Sequence, residues 1–411
     1  MGKLSHDAVV HLLMQLSVML LMGRLFAEIA RRLKQPAVVG EILAGVLLGP
    51  TVMGMIQPEW FASLFPTGSA SGVVLSGIVQ VAVVMLLFIA GLEVDLHIVW
   101  QQGKVALVTS LFGVIVPFAL GFVFPYYFPQ YFGFAQNYSV FIFALFMGTA
   151  MSITALPVIV RILMDTNLFK SKMGLLVVSS AMIDDVTGWL IFSVILGMIG
   201  KEGHGLPLIS TVIITLAFTA TMLTVGRGVI NRILPWINKK LAWPGGILSV
   251  SLALCFLGAS FTEYIGLHAV FGAFIIGVSV GDSEHFSERA KEIVHQFINN
   301  IFAPLFFVSI GLRVNFLTNF DLLLTLIIVV MAFVGKVVGC GIGTRLSGLT
   351  WRESFAAGFG MNARGAMEII LSIVALENGL INEKVFVSLV IMALVTSMTS
   401  GPLMKWCLKT T

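Results

Sequence analysis

The chain reads as a run of apolar stretches, each about as long as a bilayer is thick, joined by short polar connections. A spanning helix needs roughly 20 predominantly apolar residues, at about 1.5 Å of rise per residue. That criterion places spans at 8–30, 36–53, 71–93, 103–125, 138–163, 172–197, 208–230, 246–263, 266–280, 294–312, 321–345, 350–376 and 383–405, about thirteen in all. The first is longer than a secretory signal core. It runs into Arg31, Arg32 and Lys34 without a small-residue cleavage site, so a retained helix is expected. The predicted fold class is an all-α membrane protein.

The basic residues test this division independently. With the N-terminus outside, 18 of the 24 Lys and Arg residues fall on the cytoplasmic side, among them Arg24, Arg31, Arg32, Arg232, Lys239 and Lys240. Only Lys3, Lys201, Arg313 and Lys384 fall on the other. This is a strong positive-inside bias, and it favours an odd number of spans with the C-terminus in the cytoplasm of a multi-pass inner (plasma) membrane protein. The two remaining basic residues, Lys336 and Arg364, lie inside spans.

Two spans are interrupted. The fifth contains Gly148-Thr149-Ala150-Met151-Ser152-Ile153-Thr154-Ala155-Leu156-Pro157, and the twelfth has Gly358, Gly360 and Gly365 around Asn362 and Arg364. Proline removes a backbone donor and clashes with the preceding turn. Backbone groups freed in this way cannot be left to lipid, so broken helices face protein or a wet cavity. In spans 4–6 and again in spans 11–13 the broken helix is the middle one of three. That predicts inverted repeats with two crossed broken helices and an ion site at the crossing.

Composition agrees with a lipid solvent. The 411 residues are 58% hydrophobic and 11% charged, with a mean hydropathy of +1.01, against about 25% charged in soluble domains. The formal charge of +4 comes with no basic run, so nucleic acid is not an expected partner. Cys255, Cys340 and Cys407 show no ligand spacing and read as packing residues. No Ser/His/Asp arrangement, metal-ligand cluster or phosphate loop points to an enzyme or a cofactor.

Five ionisable side chains sit at bilayer depth: Asp184 and Asp185 in span 6, Lys336 in span 11, and Arg364 and Glu368 in span 12. Each costs roughly 2.5–3.5 kcal/mol at a helix centre on insertion scales, so all should face protein. Neighbours on a helix point about 100° apart, so one aspartate is expected to meet a partner helix while the other faces a cavity. Arg364 and Glu368, four apart, share a face and can pair. Lys336 then neutralises one aspartate, and one carboxylate is left over. Such a group binds a proton or a cation, because leaving it bare is too costly. If both guests compete for the same oxygens, alternating exposure gives obligate exchange of H⁺ against Na⁺, Li⁺ or K⁺. Thr154, Ser152 and freed carbonyls of the fifth span are oxygen ligands suited to a hard cation. Ser180 and Asn362 are further candidates for lining the site. Glu41, Glu93 and Asp95 fall near cytoplasmic ends and read as interfacial or packing residues.

At these residues the chain resembles the monovalent cation:proton antiporter-2 family. The likeness is carried by Arg32 to Pro50 with its Gln35-Pro36, Gly40-Glu41 and Leu48-Gly49-Pro50, by Met151 to Val158, and by the double aspartate. It implies thirteen helices, a homodimer, a dimerisation scaffold mainly from 8–53 and 208–280, and a mobile core. That core would come mainly from 103–197 and 321–405, with the spans near 71–93 and 294–312. The resemblance implies Asp185 as the cation and proton carboxylate, Asp184 as the salt-bridge partner of Lys336, and Thr154 and Ser152 as lining. Arg364 and Glu368 match a polar pair near the second crossing. A doublet with an intramembrane lysine looks more like the electrogenic Na⁺/H⁺ branch than like the potassium efflux branch.

The leading expectation is therefore secondary active Na⁺(Li⁺)/H⁺ antiport by an elevator-type movement. Its alternatives are electroneutral K⁺/H⁺ exchange and sodium-coupled uptake of an organic anion on a similar fold. The second alternative calls for extra cationic or aromatic groups near the crossing, where only Arg364 is found.

Overall fold

The computed structural model describes residues 4–33, 35–66, 68–94, 96–134, 138–156, 159, 160, 163, 171–199, 208–265, 267–283 and 285–408. Among them ten helices are long and apolar enough to cross a bilayer, and Val140–Ser152 and Ala269–Gly281 are shorter apolar helices. The helices begin where the sequence supplies a hydroxyl or carboxylate to accept an orphan backbone N–H. Ser5, Ser69, Ser139, Ser287 and Asp321 each cap one in this way. Thr350 and Glu353 form a reciprocal capping box.

Two sets of helices pack side by side. The first contains α1 (His6–Arg32), α2 (Ala37–Leu48), the short α3 (Met53–Ile56) and α4 (Pro58–Leu64), and α5 (Ala70–Leu92). The second begins with α6 (Leu96–Tyr127), kinked at Gly103 where φ is 54°, α7 (Val140–Ser152) and α8 (Lys172–Ile199). The chain then returns to the first set through α9 (Leu208–Thr221), a π-helical turn at Met222–Gly226, α10 (Arg227–Lys240), α11 (Gly245–Tyr264), α12 (Ala269–Gly281) and α13 (Glu288–Arg313). It closes the second with α14 (Leu322–Leu346), α15 (Trp351–Met361), α16 (Ala366–Glu377) and α17 (Glu383–Leu408).

Each expected span contains helix, and the departures have physical reasons. The ninth, α12, has 13 residues, too few for lipid; every residue from Val270 to Gly281 is buried, so protein and not lipid surrounds it. The fifth stops being regular at Ser152, with Ile153 extended; Pro157 lies outside the described residues. The twelfth is two helices, α15 and α16, separated by Asn362 to Gly365.

Within the second set α6 lies along α14, α7 and α8, and α17 packs on α14, α15 and α16. Within the first, α5 packs on α12 and α13, and α2 lies between α1 and α13. Thus α5 and α13, the spans near 71–93 and 294–312 expected beside the core, pack with the other set. Small residues draw them there: Gly91 meets the α12 backbone at Phe274, and Gly311 meets α2 at Gly45. The α6–α14 contact is equally close. A Cβ at Gly343 would lie 2.7 Å from the Val108 carbonyl, and one at Gly335 2.9 Å from Pro117 Cα.

Candidate functional site

Close approach of α14 to α6 brings Lys336 into the middle of the second set, where it is 0% exposed. All three of its ammonium donors are used. Nζ lies 2.5 Å from Asp184 Oδ2 and donates to the carbonyls of Ser152 at 2.6 Å and Gly113 at 2.9 Å. Asp184 is also saturated: Ser110 Oγ donates to Oδ1 at 2.5 Å and Thr154 Oγ1 to Oδ2 at 2.8 Å. A buried ion pair holds only when the remaining lone pairs and protons are satisfied, and here they are.

Asp185 is the contrast. It is 1% exposed, and its Oδ1 is buried with no hydrogen-bond partner among the described residues. Both Asp184 oxygens are thus bonded and the group is paired with a cation, whereas Asp185 Oδ1 is buried without a partner among the described residues. On the next turn toward Ile199, Trp189 shares the face of Asp185. Its ring lies 6.0 Å from Phe274 of α12 and 5.9 Å from Phe192, which in turn is 6.3 Å from Phe146. This aromatic layer joins α7 and α8 to α12 on one side of Asp185.

The two helix breaks meet beside these carboxylates. Ala155 N donates to Ala363 O at 2.9 Å, linking the irregular segments directly. Arg364 then reaches the carbonyls at the end of α7. It donates to Ala150 O at 2.7 Å, to Ile153 O at 3.2 Å and to Met151 O. A helix C-terminus presents unpaired carbonyls and partial negative charge, so a buried guanidinium with a fork of donors suits it. Arg364 is also 3.6 Å from Glu368, whose two carboxylate oxygens have no hydrogen-bond partner among the described residues.

The other predicted residues are placed less centrally. Ser152 offers its carbonyl to Lys336, while its hydroxyl donates to Thr149 O at 2.9 Å. Thr154 touches Asp184, not Asp185. Ser180 donates to Ala106 O at 3.2 Å. Asn362 caps α15, and its side-chain amide is buried without a partner among the described residues. Ser110 and Trp189 were not anticipated. A single serine in an apolar span carries no signal, and a tryptophan there reads as packing.

Residues 17–410 match the family described as sodium/hydrogen exchanger, transmembrane. The chain is 32% identical over 395 residues to the Na⁺/H⁺ antiporter NhaS4 of Synechocystis sp., covering 95% of this chain and 96% of that protein. The chain belongs to the sodium/hydrogen exchanger family. Membership makes it a transporter and not an enzyme. It is also 28% identical to the Na⁺/H⁺-K⁺ antiporter GerN of Bacillus cereus, over 95% of both chains. It is 30% identical to the K⁺/H⁺ antiporter 1 of Saccharomyces cerevisiae, covering 90% of this chain but 43% of that longer protein. The sodium proton antiporter MjNhaP1 of Methanocaldococcus jannaschii shares the fold with a TM-score of 0.68 at 16% identity, over 97% of each chain. The exchanger fold therefore places the charged crossing of α7, α8, α14 and α16 inside a multi-pass membrane carrier.

Proposed function

We propose that the protein exchanges Na⁺ for H⁺, with both ions competing for Asp185. The observation that carries this reading is the buried, unpartnered Asp185 oxygen beside an Asp184–Lys336 pair that is fully satisfied. A bare buried carboxylate must hold a proton or a cation, and one carboxylate cannot hold both. Asp184 and Lys336 fix the helix break and set the local charge, and Arg364 holds the end of α7. Li⁺ substitutes for Na⁺ as a hard cation bound by oxygen.

Alternating access follows if α6–α8 and α14–α17 move as a core against a scaffold of α1–α5 and α9–α13. The layer of Trp189 and Phe274 then seals Asp185 from the basic-poor side. The distribution of Lys and Arg supports an N-terminus outside and a cytoplasmic C-terminus, in the inner membrane. The matched breaks of α7 and of α15–α16 support an inverted repeat. The scaffold's outer apolar face, with Leu13, Leu21 and Leu25 of α1 exposed, suits a homodimer in lipid. Exchange of one proton per Na⁺ at Asp185 moves no net charge; if two protons move per Na⁺, the cycle carries one net charge, worth about 2.3 kcal/mol per 100 mV.

The test is exchange by purified protein in liposomes, read by dequenching of a pH-sensitive dye with Na⁺, Li⁺ or K⁺ added. Na⁺ and Li⁺ are expected to dequench in the wild type and not in Asp185→Asn. Dequenching by K⁺ alone would replace the substrate, and wild-type rates in Asp185→Asn would remove the assignment.

A further inference from the structure

Polar atoms without partners gather at the break between α15 and α16. Among the described residues these are both amide atoms of Asn362, Nε of Arg364 and both carboxylate oxygens of Glu368. None of the three residues is more than 1% exposed. Buried polar groups are nearly always bonded, so a cluster of unbonded ones around a guanidinium points to a second arrangement that uses them. A cavity of about 10 Å³, with room for about one water, borders Arg364, Gly365 and Ile369 there.

Two helix ends set the present arrangement. The carbonyls that end α7 attract positive charge, and each one from Ala150 to Ile153 is held by a basic side chain. Arg364 takes Ala150, Met151 and Ile153, and Lys336 takes Ser152. Glu368 lies in the first turn of α16, where the helix dipole favours a carboxylate that no cation has bonded. At 3.6 Å from Arg364 Nη1 it attracts the guanidinium but is too far to accept from it. Arg364 thus stands between two sets of acceptors and serves one. The set it serves adjoins the exchange site. Ile153 packs on Gly188, one turn along α8 from Asp185, so closely that a Cβ at Gly188 would clash with it. Lys336 joins Ser152 O to Asp184, with contacts of 2.6 and 2.5 Å.

A hard cation at Asp185 needs several oxygens. The hydroxyls of Thr154 and Ser152 are directed to Asp184 and to Thr149 O. The carbonyls that end α7 complete such a site, yet a guanidinium lying on three of them repels a second cation. We propose that Glu368 is a positioning residue of exchange, which receives Arg364 when a cation binds at Asp185. The guanidinium turns from the end of α7 to the Glu368 carboxylate, and Ile153 O is freed to ligate the cation. When the cation leaves and Asp185 takes a proton, Arg364 returns to the carbonyls, as in the arrangement described above. The inference rests on Asp185 being the exchange site.

The experiment compares wild type with E368Q, which keeps the shape of the side chain and loses the charge that draws the guanidinium. KM for Na⁺ and kcat are measured by dequenching in liposomes, and unfolding temperature in detergent with and without Na⁺. E368Q is expected to raise KM about tenfold or more, the worth of one hydrogen bond between charged groups, with a smaller change in kcat. It should lower the unfolding temperature more in saturating Na⁺ than in its absence, because the lost bond belongs to the cation-bound arrangement. A merely structural pair would lower both alike. A structure of the wild type with Na⁺ bound should show Arg364 within about 3 Å of a Glu368 oxygen and away from Ile153 O. An unchanged KM in E368Q, an equal fall in unfolding temperature with and without Na⁺, or a Na⁺-bound structure in which Arg364 keeps all three carbonyls would overturn the inference. Any of these, with an active wild type and an inactive Asp185→Asn, sinks the handover alone, whereas a wild type that neither binds nor exchanges Na⁺ sinks the exchange reading as well.

Discussion

Replacing Lys336 with methionine tests the cage around Asp184. Lys336 and Asp184 are both 0% exposed, so the substitution leaves a carboxylate in the interior with no counter-charge. Breaking a buried pair from one side costs about 3–5 kcal/mol. The carbonyls of Gly113 and Ser152 each lose a donor as well, at about 1–3 kcal/mol for a buried unpaired group. Removing both charges should be milder. In the double variant Asp184→Asn with Lys336→Met, the amide oxygen at position 184 accepts from one of the Ser110 and Thr154 hydroxyls and the amide nitrogen donates to the other, since the two hydroxyls meet different oxygens of Asp184. What remains is the deficit at the two carbonyls, about 1–3 kcal/mol each. Thermal unfolding in detergent, followed by tryptophan fluorescence, should show the single variant roughly 5–10 °C below wild type and the double variant between them. A single variant within about 1 °C of wild type, or a double variant no more stable than the single, would refute the cage, because at least 3 kcal/mol is expected.

Arg364→Ala strands the carbonyls of Ala150, Met151 and Ile153 together with Glu368, at a cost of about 3–5 kcal/mol; Arg364→Lys keeps the charge without the fork and should fall between, both read by unfolding temperature. At the basic-poor end Arg313 and Gln80 both bond Glu377, tying α13 and α5 to α16 across the two sets. Glu377→Gln should change stability by less than about 1 kcal/mol, since the pair is part exposed. It should nonetheless alter the ratio of Na⁺ KM values measured from the two faces of the membrane, and an unaltered ratio counts against a latch. Gly343→Val puts a Cβ 2.7 Å from the Val108 carbonyl; backbone cannot yield there, so folded yield by size-exclusion chromatography should collapse.

The spans were legible because lipid demands length and apolarity residue by residue. The charged crossing was legible for the same reason: Asp184, Asp185, Lys336, Arg364 and Glu368 stand out where every charge is costly. Charge counting left open which aspartate Lys336 meets, because that depends on the approach of α14 to α6 and on Ser110 and Thr154 both facing Asp184. A sequence cannot tell a hydroxyl from a carbonyl as the contributing group, and Ser152 supplies the carbonyl. Arg364 shares a face with Glu368 as spacing requires, yet its shorter contacts run to the end of α7, a relation between helices more than 200 residues apart. The packing of α5 and α13 was hidden too, since Gly91 and Gly311 show a close approach without naming the helix approached.

Asp185 is tested most directly by counting protons released when the purified protein binds Na⁺, by calorimetry in two buffers of different ionisation enthalpy. Competition for one carboxylate requires about one proton released per Na⁺ at a pH where the site is protonated, and neither binding nor release in Asp185→Asn. Sodium binding without proton release, or release that persists unchanged in that variant, would contradict it.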